Sequence, residues 1–295
     1  MELNVEKHRY EGEGKLKLKH HGTEPKDRMK EEEALPIIAE NVRAMAEMQE
    51  KLYASSSHAL LIVFQAMDAA GKDGTLRRLL SGINPQGCVI SNFKKPTPEE
   101  ISHDFLWRVA KKLPAKGMIG LFNRSHYEEV LVCKVHPEYV VYQGIPGKNT
   151  VESLDKDFWE GRYEAIREWE QHLANSGTRI LKFFLNVSKD EQKKRLLKRM
   201  DRPDKHWKFN LGDVKERAYW SAYMNAYEEA IDETARPHAP WFIIPADDKD
   251  YMRAAVTTIV RQEMEKLNLD YPSTAPNIAE EIAEGRRMLD AETND

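Results

Sequence analysis

The sequence of 295 residues is poor in cysteine and has no long apolar run. Its two cysteines, Cys88 and Cys133, each lie inside a short apolar stretch, so we expect reduced core residues rather than a disulfide framework. No stretch is long enough to cross a bilayer, and the polar start MELNVEKHRY lacks the hydrophobic region of a signal peptide. We therefore predict a cytoplasmic protein without a membrane partner.

The chain also has little net charge. Its 45 Lys and Arg nearly balance 49 Asp and Glu, giving −4, and this balance argues against a nucleic-acid partner. The 41% hydrophobic content suffices for one large α/β domain with appendages. We predict an extended, polar N-terminal arm (1–34), a domain (35–270) and an acidic C-terminal tail (271–295). Within the tail, Glu280 to Asp295 is predicted to form a helix, and we assign it no catalytic or binding role.

Short apolar runs alternate with helical patterns along the domain. LLIVFQA, from Leu60, is continuously apolar, as is typical of a central parallel strand covered on both faces. CVISNF, GMIGLF, RILKFFLNV and WFIIPA repeat the pattern. One intervening helix is predicted over TPEEISHDFLWRVAKKL, with Thr97 as N-cap and Glu100 at its third position. This order predicts a doubly wound sheet of five parallel strands that binds ligands beyond their carboxyl ends.

The loop FQAMDAAGKDGT after the first strand departs from the phosphate-binding pattern G-x-x-x-x-G-K-[ST]. Gly71 and Lys72 are present, between a strand and a helix start that together offer free N–H groups to an anion. Asp73 replaces the usual magnesium-binding hydroxyl, for which Thr75 and Asp68 are the available substitutes. Asp68 either caps loop N–H groups, binds Mg²⁺, or orients or deprotonates a phosphate acceptor.

Two further segments carry clustered polar side chains. LFNRSHYEEVL follows the third strand; its Arg124 is suited to clamping a phosphate, and Asn123 or Glu128 to orienting a metal-bound water, the alternative being a solvated turn. The segment KKRLLKRMDRPDKHWKFNLGD follows the fourth strand and is basic. It is either a solvated helix face or the mobile lid of a nucleotide-transferring kinase, which we predict over about 189–215.

Taken together, these motifs resemble the polyphosphate kinase 2 family. The matching segments, between about Leu35 and Leu269, are FQAMDAAGKDGT, INPQG, LFNRSHYEEVLV, LKFFLNVSKDEQKKRL, KHWKFNLGD and APWFIIPADDK. The resemblance implies a P-loop kinase-like three-layer α/β/α sandwich with a helical lid, a homo-oligomer, and Mg²⁺ as cofactor. It also implies transfer of a phosphoryl group from inorganic polyphosphate to nucleoside mono- and diphosphates, giving NDP and NTP in a reaction that can run in reverse.

Residue roles follow from the same resemblance. Lys72 and the loop N–H groups are expected to hold the transferred phosphate, and Arg124 and Arg199 to stabilise its charge. Asp68 is expected to bind Mg²⁺ or to activate the terminal phosphate of the nucleotide. Where some members read D-R-S-W-Y-N, this chain has N-R-S-H-Y-E, which resembles the subgroup that accepts both mono- and diphosphates. AMP and ADP are the expected acceptors, with GMP and GDP as further candidates.

The sequence thus predicts one site with two sets of residues. The predicted catalytic residues are Asp68, Lys72, Arg124 and Arg199, with Asp68 also the predicted magnesium ligand. The predicted nucleotide- and phosphate-binding residues are Ala69, Ala70, Gly71, Asp73, Gly74, Thr75, Arg77, Asn123, Glu128, Lys205 and Lys208. The basic groove that a polyphosphate chain requires is expected from Arg77, Arg78, Lys194, Arg195, Lys198, Arg199, Lys205 and Lys208.

Two other functions remain compatible with these motifs. An ATP-dependent nucleotide kinase of the thymidylate or adenylate kinase type has a similar sheet, loop and lid. A regulatory P-loop switch also binds nucleotide, but it needs no carboxylate beside the acceptor. The first alternative would take its phosphoryl group from ATP rather than from polyphosphate. The second would bind nucleotide without turning it over.

Overall fold

The computed structural model describes residues 3–292, so the first two residues of the predicted arm and the last three of the predicted tail lie outside it. The strands are β1 (Arg9–Tyr10), β2 (Ala59–Gln65), β3 (Cys88–Asn92), β4 (Ile119–Asn123), β5 (Thr178–Asn186) and β6 (Trp241–Pro245). The α-helices are α1 (Glu31–Ser55), α2 (Lys72–Leu79), α3 (Pro98–Ile101), α4 (Trp107–Ala110), α5 (Val132–Val135), α6 (Glu138–Val141), α7 (Lys156–Asn175), α8 (Lys189–Met200), α9 (Leu211–Lys215), α10 (Trp220–Thr234), α11 (Lys249–Glu265) and α12 (Ile278–Asp290). Single 3-10 segments occupy Glu6–His8, Leu18–His20, Pro85–Gly87, His126–Val130, Val151–Ser153, Pro203–Lys208 and Glu216–Tyr219.

The five predicted strands form a parallel sheet, and the arm adds a sixth strand. The order across the sheet is β1-β6-β5-β2-β4-β3, with β1 antiparallel to β6. The arm predicted to be extended and polar also contributes to the core, because its Val5, Leu16 and Leu18 are buried there. A strand of two residues has no apolar periodicity by which the sequence could reveal it.

Helices cover both faces of the sheet, which confirms the three-layer sandwich. Helices α1, α2 and α11 pack together on one face, and α5, α7 and α10 on the other. Every residue of β2 is buried, as its apolar run predicts. Phe64, Phe183 and Phe242 stack across neighbouring strands with ring centroids 5.1 and 5.3 Å apart.

The helix predicted over TPEEISHDFLWRVAKKL is wrong in its length. Its start is confirmed, since the Thr97 hydroxyl accepts a hydrogen bond from the Glu100 N–H at 3.2 Å. The helix ends after one turn at Ile101, and a second turn begins at Trp107. Between them the Ser102 hydroxyl donates to a backbone carbonyl and the Asp104 carboxylate accepts from the Leu106 N–H, so polar side chains replace the helical hydrogen bonds.

The lid region follows β5 and lies at the carboxyl edge of the sheet. Ser188 caps α8 by accepting from the Glu191 N–H at 3.1 Å. The 3-10 segment Pro203–Lys208 and the short α9 then bring the chain to α10. The predicted C-terminal helix corresponds to α12. Across residues 3–292, no helix combines the length and the apolar character that a membrane crossing requires.

Candidate active site

The loop between β2 and α2 makes a tight turn. Ala69 (φ 59°) and Gly71 (φ 119°) both lie in the left-handed region. At Gly71 an added Cβ would be strained and would come 3.0 Å from the Met252 side chain, so glycine is required. The Arg195 guanidinium donates to the Ala70 carbonyl at 2.6 Å and to the Ala246 carbonyl at 2.7 Å. The loop is therefore fixed from the side of the lid helix.

Lys72 and Asp73 begin α2 and make different contacts. The Lys72 ammonium donates to the Ala66 carbonyl at 2.7 Å, and burial lowers its pKa. The Asp73 carboxylate accepts from the Asn123 amide and from the Lys208 ammonium, both at 3.1 Å. Burial alone would raise the pKa of Asp73, but Lys208 outweighs it and the pKa lies below its usual value. Asp73 thus connects the loop to β4 and to the lid.

Thr75 lines neither of the two cavities at this edge of the sheet, which are described below. Its side chain is fully buried, and its hydroxyl donates to the Gly71 carbonyl at 3.2 Å. The predicted role of Thr75 in holding phosphate or Mg²⁺ has no supporting contact, because the hydroxyl points into helix α2 rather than toward the loop opening.

Arg124 lies immediately after β4 and connects two carboxylates. One guanidinium nitrogen donates to Asp68 Oδ1 at 2.8 Å, and the other lies 3.7 Å from Glu128 Oε2. Glu128 and Asp68 raise the pKa of Arg124, so the guanidinium stays charged. Burial raises the pKa of Glu128, against the opposing effect of Arg124. The backbone of Arg124 is left-handed, with φ 65°.

The lid brings a third carboxylate to this point. Arg199 lies 3.2 Å from Asp213 Oδ2 and donates to the Lys208 carbonyl at 3.3 Å. Burial and the nearby Asp68 raise the pKa of Asp213. The predicted catalytic Arg199 is therefore paired within the lid, and it lines the same cavity as Asp68 and Arg124.

Two cavities meet at these residues. The first, of about 540 Å³, is strongly basic. The second, of about 390 Å³, is lined by three tyrosines and aliphatic side chains and also by the acids Glu128 and Glu216. Asp68, Arg124 and Asp213 line both. The predicted residues that the first cavity brings together are Asp68, Ala69, Ala70, Gly71, Lys72, Asp73, Gly74, Arg77, Asn123, Arg124, Arg199, Lys205 and Lys208. Glu128 lines only the second cavity.

Some expected groove residues lie elsewhere. Arg78 is 3.8 Å from Glu31, and Lys194 is 3.4 Å from Glu191 on the outer side of α8, and neither lines the basic cavity. Lys249 and Arg253 of α11 line it instead. Since α11 packs against α2, these cations approach the loop from a distant part of the chain. Lys249 ends the segment APWFIIPADDK, but the sequence assigned no role to it.

Most residues that line the second cavity are absent from the predicted site. Its lining includes Tyr223 and Tyr227, which lie on one face of α10, and Asp213 of α9. A spacing of four residues in a helix was the available signal for the tyrosines. Asp213 ends the segment KHWKFNLGD, but nothing in that segment indicates that its carboxylate reaches the cavity.

The profile described as Polyphosphate kinase 2 (PPK2) matches residues 27–272. The chain belongs to the polyphosphate kinase 2 family. A crystal structure of polyphosphate kinase 2 from Arthrobacter aurescens superposes with a TM-score of 0.86 at 40% identity, over 96% of each chain. The P-loop kinase-like fold expected from the sequence is thereby confirmed.

Two sequence relatives cover most of the chain. A protein of Rhodopseudomonas palustris called ADP-polyphosphate phosphotransferase is 49% identical over 253 residues, covering 86% of each chain. A protein of Meiothermus ruber called AMP/ADP-polyphosphate phosphotransferase is 42% identical over 270 residues, covering 91% of this chain and 96% of its own.

Polyphosphate kinase 2 proteins are kinases, for which a divalent metal is generally expected. Within residues 3–292 there is no group of three or more His, Cys, Asp or Glu side chains that could hold a metal by itself. Mg²⁺ usually takes only one or two protein carboxylates, together with water and substrate phosphates. The carboxylates of Asp68 and Asp213 at the junction of the two cavities fit that donor set.

Proposed function

We propose that this protein transfers the terminal phosphoryl group of inorganic polyphosphate to AMP and ADP, giving ADP and ATP, with Mg²⁺ as cofactor. The observation that carries the proposal is the meeting of a basic cavity with an aromatic cavity at Asp68, Arg124 and Asp213. The printed names of the Rhodopseudomonas palustris and Meiothermus ruber relatives support the same substrates.

The basic cavity suits a donor without a base. Eleven lysine and arginine side chains line it against three aspartates, and no aromatic side chain of the described residues does so. A purine normally requires an apolar or aromatic surface, whereas a linear polyanion requires only positive charge. This lining therefore favours polyphosphate over ATP as the donor and weighs against an ATP-dependent nucleotide kinase.

The aromatic cavity suits the nucleoside of the acceptor. Tyr139, Tyr223 and Tyr227 line it together with Leu131 and Val132. Such a lining offers planar and aliphatic surface to a base and its ribose. An acceptor seated there would direct its terminal phosphate toward Asp68 and Arg124, where the donor chain would end.

The transfer itself requires positioning and charge neutralisation. A terminal phosphate oxygen of the acceptor forms a bond to the last phosphorus of the chain, and the anhydride bond to the next unit breaks, so the chain shortens by one phosphate. The acceptor phosphate is already largely ionised at neutral pH, with a second pKa of about 6, so no strong base is required. We therefore assign Asp68 an orienting and metal-binding role, and Lys72, Arg124 and Arg199 the stabilisation of transferring charge. Bound Mg²⁺ would neutralise phosphate charge beside Asp68.

We extend the proposal to GMP and GDP as weaker acceptors, to a cytoplasmic location and to a homo-oligomer. The acceptors and the oligomer rest on the family resemblance of the sequence. The location rests on the two free cysteines, Cys88 and Cys133, which suit a reducing compartment. Native mass measurement tests the oligomer directly.

One assay panel tests the function. Purified protein receives AMP, ADP, GMP or GDP, with polyphosphate and Mg²⁺ and without ATP, and the products are separated by ion-exchange chromatography. A control without polyphosphate detects ATP made from two ADP molecules, the reaction of an adenylate kinase. New ATP that requires both polyphosphate and Mg²⁺ supports the proposal. In a parallel arm ATP replaces polyphosphate as the donor. Activity only in that arm would establish the rival kinase, and nucleotide binding without any turnover would favour a regulatory switch.

A further inference from the structure

A polar cluster is buried behind the loop that carries Arg124. Lys182 of β5 is fully buried, and its ammonium donates to Glu170 at 2.5 Å and to the Tyr127 hydroxyl and the Thr234 carbonyl at 2.9 Å. An ammonium has three N–H groups, so every donor has a partner. Burial alone would raise the pKa of Glu170, but Lys182 outweighs burial and keeps that pKa below its usual value. Buried ion pairs add little stability over apolar residues, so this one calls for another explanation.

The cluster is attached to the loop through Tyr127. The Tyr127 hydroxyl accepts from Lys182 and donates to Glu170 at 2.8 Å, and its ring meets the Trp241 ring edge-on at 4.8 Å. The neighbouring His126 is buried against Trp169 of α7. Three elements of the sandwich, α7, β5 and β6, therefore hold this short segment.

The two ends of the held segment are site residues. Arg124 precedes it and Glu128 follows it, and the guanidinium of the first lies 3.7 Å from the carboxylate of the second. Arg124 has φ 65°, a conformation that non-glycine residues keep only where the surroundings impose it. Ser125 contributes locally, since its hydroxyl accepts from the Gln65 amide and the Tyr127 N–H, both at 3.2 Å.

We propose that Glu170 and Lys182 are positioning residues for phosphoryl transfer, which act through Tyr127 to hold Arg124 and Glu128 at the junction of the two cavities. Neither residue lines either cavity. The inference rests on the proposed function for its kinetic readout, but the conformation of the loop can be measured without turnover. The competing explanation is that the cluster only stabilises the fold.

Two variants separate these explanations. Tyr127→Phe removes the hydroxyl by which Tyr127 contacts the cluster and leaves in place the approach of His126 Nε2 to Glu170 Oε1 at 3.4 Å. The double variant Glu170→Leu/Lys182→Met replaces both charges by apolar side chains, so no unpaired charge is left buried. Glu263→Gln is the matched control, because Glu263 is equally buried and pairs with Arg9 and Arg179, toward the amino end of β5 and away from the site.

The measurements are kcat, the KM of each substrate, the melting temperature, and amide hydrogen exchange of a peptide covering 124–130. We expect both variants to lower kcat about tenfold to a hundredfold, since small displacements of catalytic groups have effects of that size. The KM for polyphosphate should stay within about twofold, and exchange in 124–130 should accelerate. The Glu263→Gln control should lose melting temperature while keeping kcat and exchange in 124–130.

Wild-type kcat and unchanged exchange in 124–130 in the folded variants would overturn the proposal, and so would an equal loss of kcat in the control. If the double variant does not fold, Tyr127→Phe alone decides. If the wild-type protein transfers nothing from polyphosphate, the proposed function fails. The exchange comparison then still tests whether the cluster holds the loop.

Discussion

Replacing Arg124 by lysine tests the junction of the two cavities most directly. The guanidinium contacts Asp68 at 2.8 Å with one nitrogen and approaches Glu128 to 3.7 Å with another. A lysine carries the same charge on a single ammonium, so it can meet one of these carboxylates but not both. Lysine also bears the same penalty for a left-handed backbone as arginine. The substitution therefore removes the two-pronged guanidinium contact, while the positive charge and the backbone strain at position 124 stay the same.

The distances set the expected size of the effect. At an effective dielectric constant of about 20, the two contacts correspond to roughly 6 and 4.5 kcal/mol of gross Coulomb energy. The Arg124 side chain is 42% exposed, so solvent screening reduces the net contribution to folding to about 1 kcal/mol or less. During transfer, however, the loss of one preorganised donor costs about a hundredfold in kcat. We expect a melting temperature within about 4 °C of wild type and kcat lowered about a hundredfold.

The assay follows ATP formation from ADP and polyphosphate, with the melting temperature measured on the same samples. Arg253→Lys is the matched control, since Arg253 lines the basic cavity but pairs with Asp250 at 3.2 Å and lies away from the aromatic cavity. It should keep kcat within about threefold, because lysine preserves the positive charge that a polyanionic donor requires. If Arg124→Lys also keeps kcat in that range, the simultaneous approach of the guanidinium to Asp68 and Glu128 has no part in the transfer, and the reasoning above is wrong.

Three further predictions concern the carboxylates and the lysine of the site. Asp68→Asn should lower kcat about a hundredfold and raise the Mg²⁺ concentration needed for half-maximal activity, and wild-type turnover would return Asp68 to a loop-capping role. Burial lowers the pKa of Lys72 and bound phosphate favours its charged form, so polyphosphate affinity should be full below that pKa and fall as pH rises through it. Direct binding measurements should find this loss absent in Lys72→Arg, and a wild-type affinity that stays constant into the alkaline range would contradict it. Glu128→Asn should shift the AMP-to-ADP ratio of kcat/KM, and because burial raises the pKa of Glu128, the wild-type ratio should move toward that of the variant as pH falls and the carboxylate is protonated. An identical ratio in both proteins would exclude Glu128 from acceptor choice.

The sequence predicts the parallel strands well because each is a local feature. The run Ala59–Gln65 is buried throughout, so its apolar character needs no knowledge of its neighbours. The incorrect predictions concern contacts between distant segments, or backbone hydrogen bonds for which side chains compete. The pairing of Arg9 with Phe242 joins segments far apart in the chain, and the helix after Thr97 ends where Ser102 and Asp104 take over the backbone hydrogen bonds.

The same distinction applies to the candidate site. Residues that follow a strand directly, such as Lys72 and Arg124, could be located from the order of strand, loop and helix. Asp213 could not, since it reaches the junction only through the path of the lid. Thr75 was chosen by comparison with the usual loop pattern, whereas its position in the turn of α2 directs its hydroxyl to the Gly71 carbonyl.

The two aspartates of the phosphate-binding loop can be explained by the cations opposite them. A carboxylate beside a phosphate site is unfavourable unless a positive group compensates it. Asp68 has Arg124 at 2.8 Å and Asp73 has Lys208 at 3.1 Å, and these two cations come from different elements. Each acid therefore fixes a basic side chain at the edge of the cavity, one from the end of β4 and one from the lid. The departures from the usual loop sequence connect the loop to the two other elements that a phosphoryl transfer site requires.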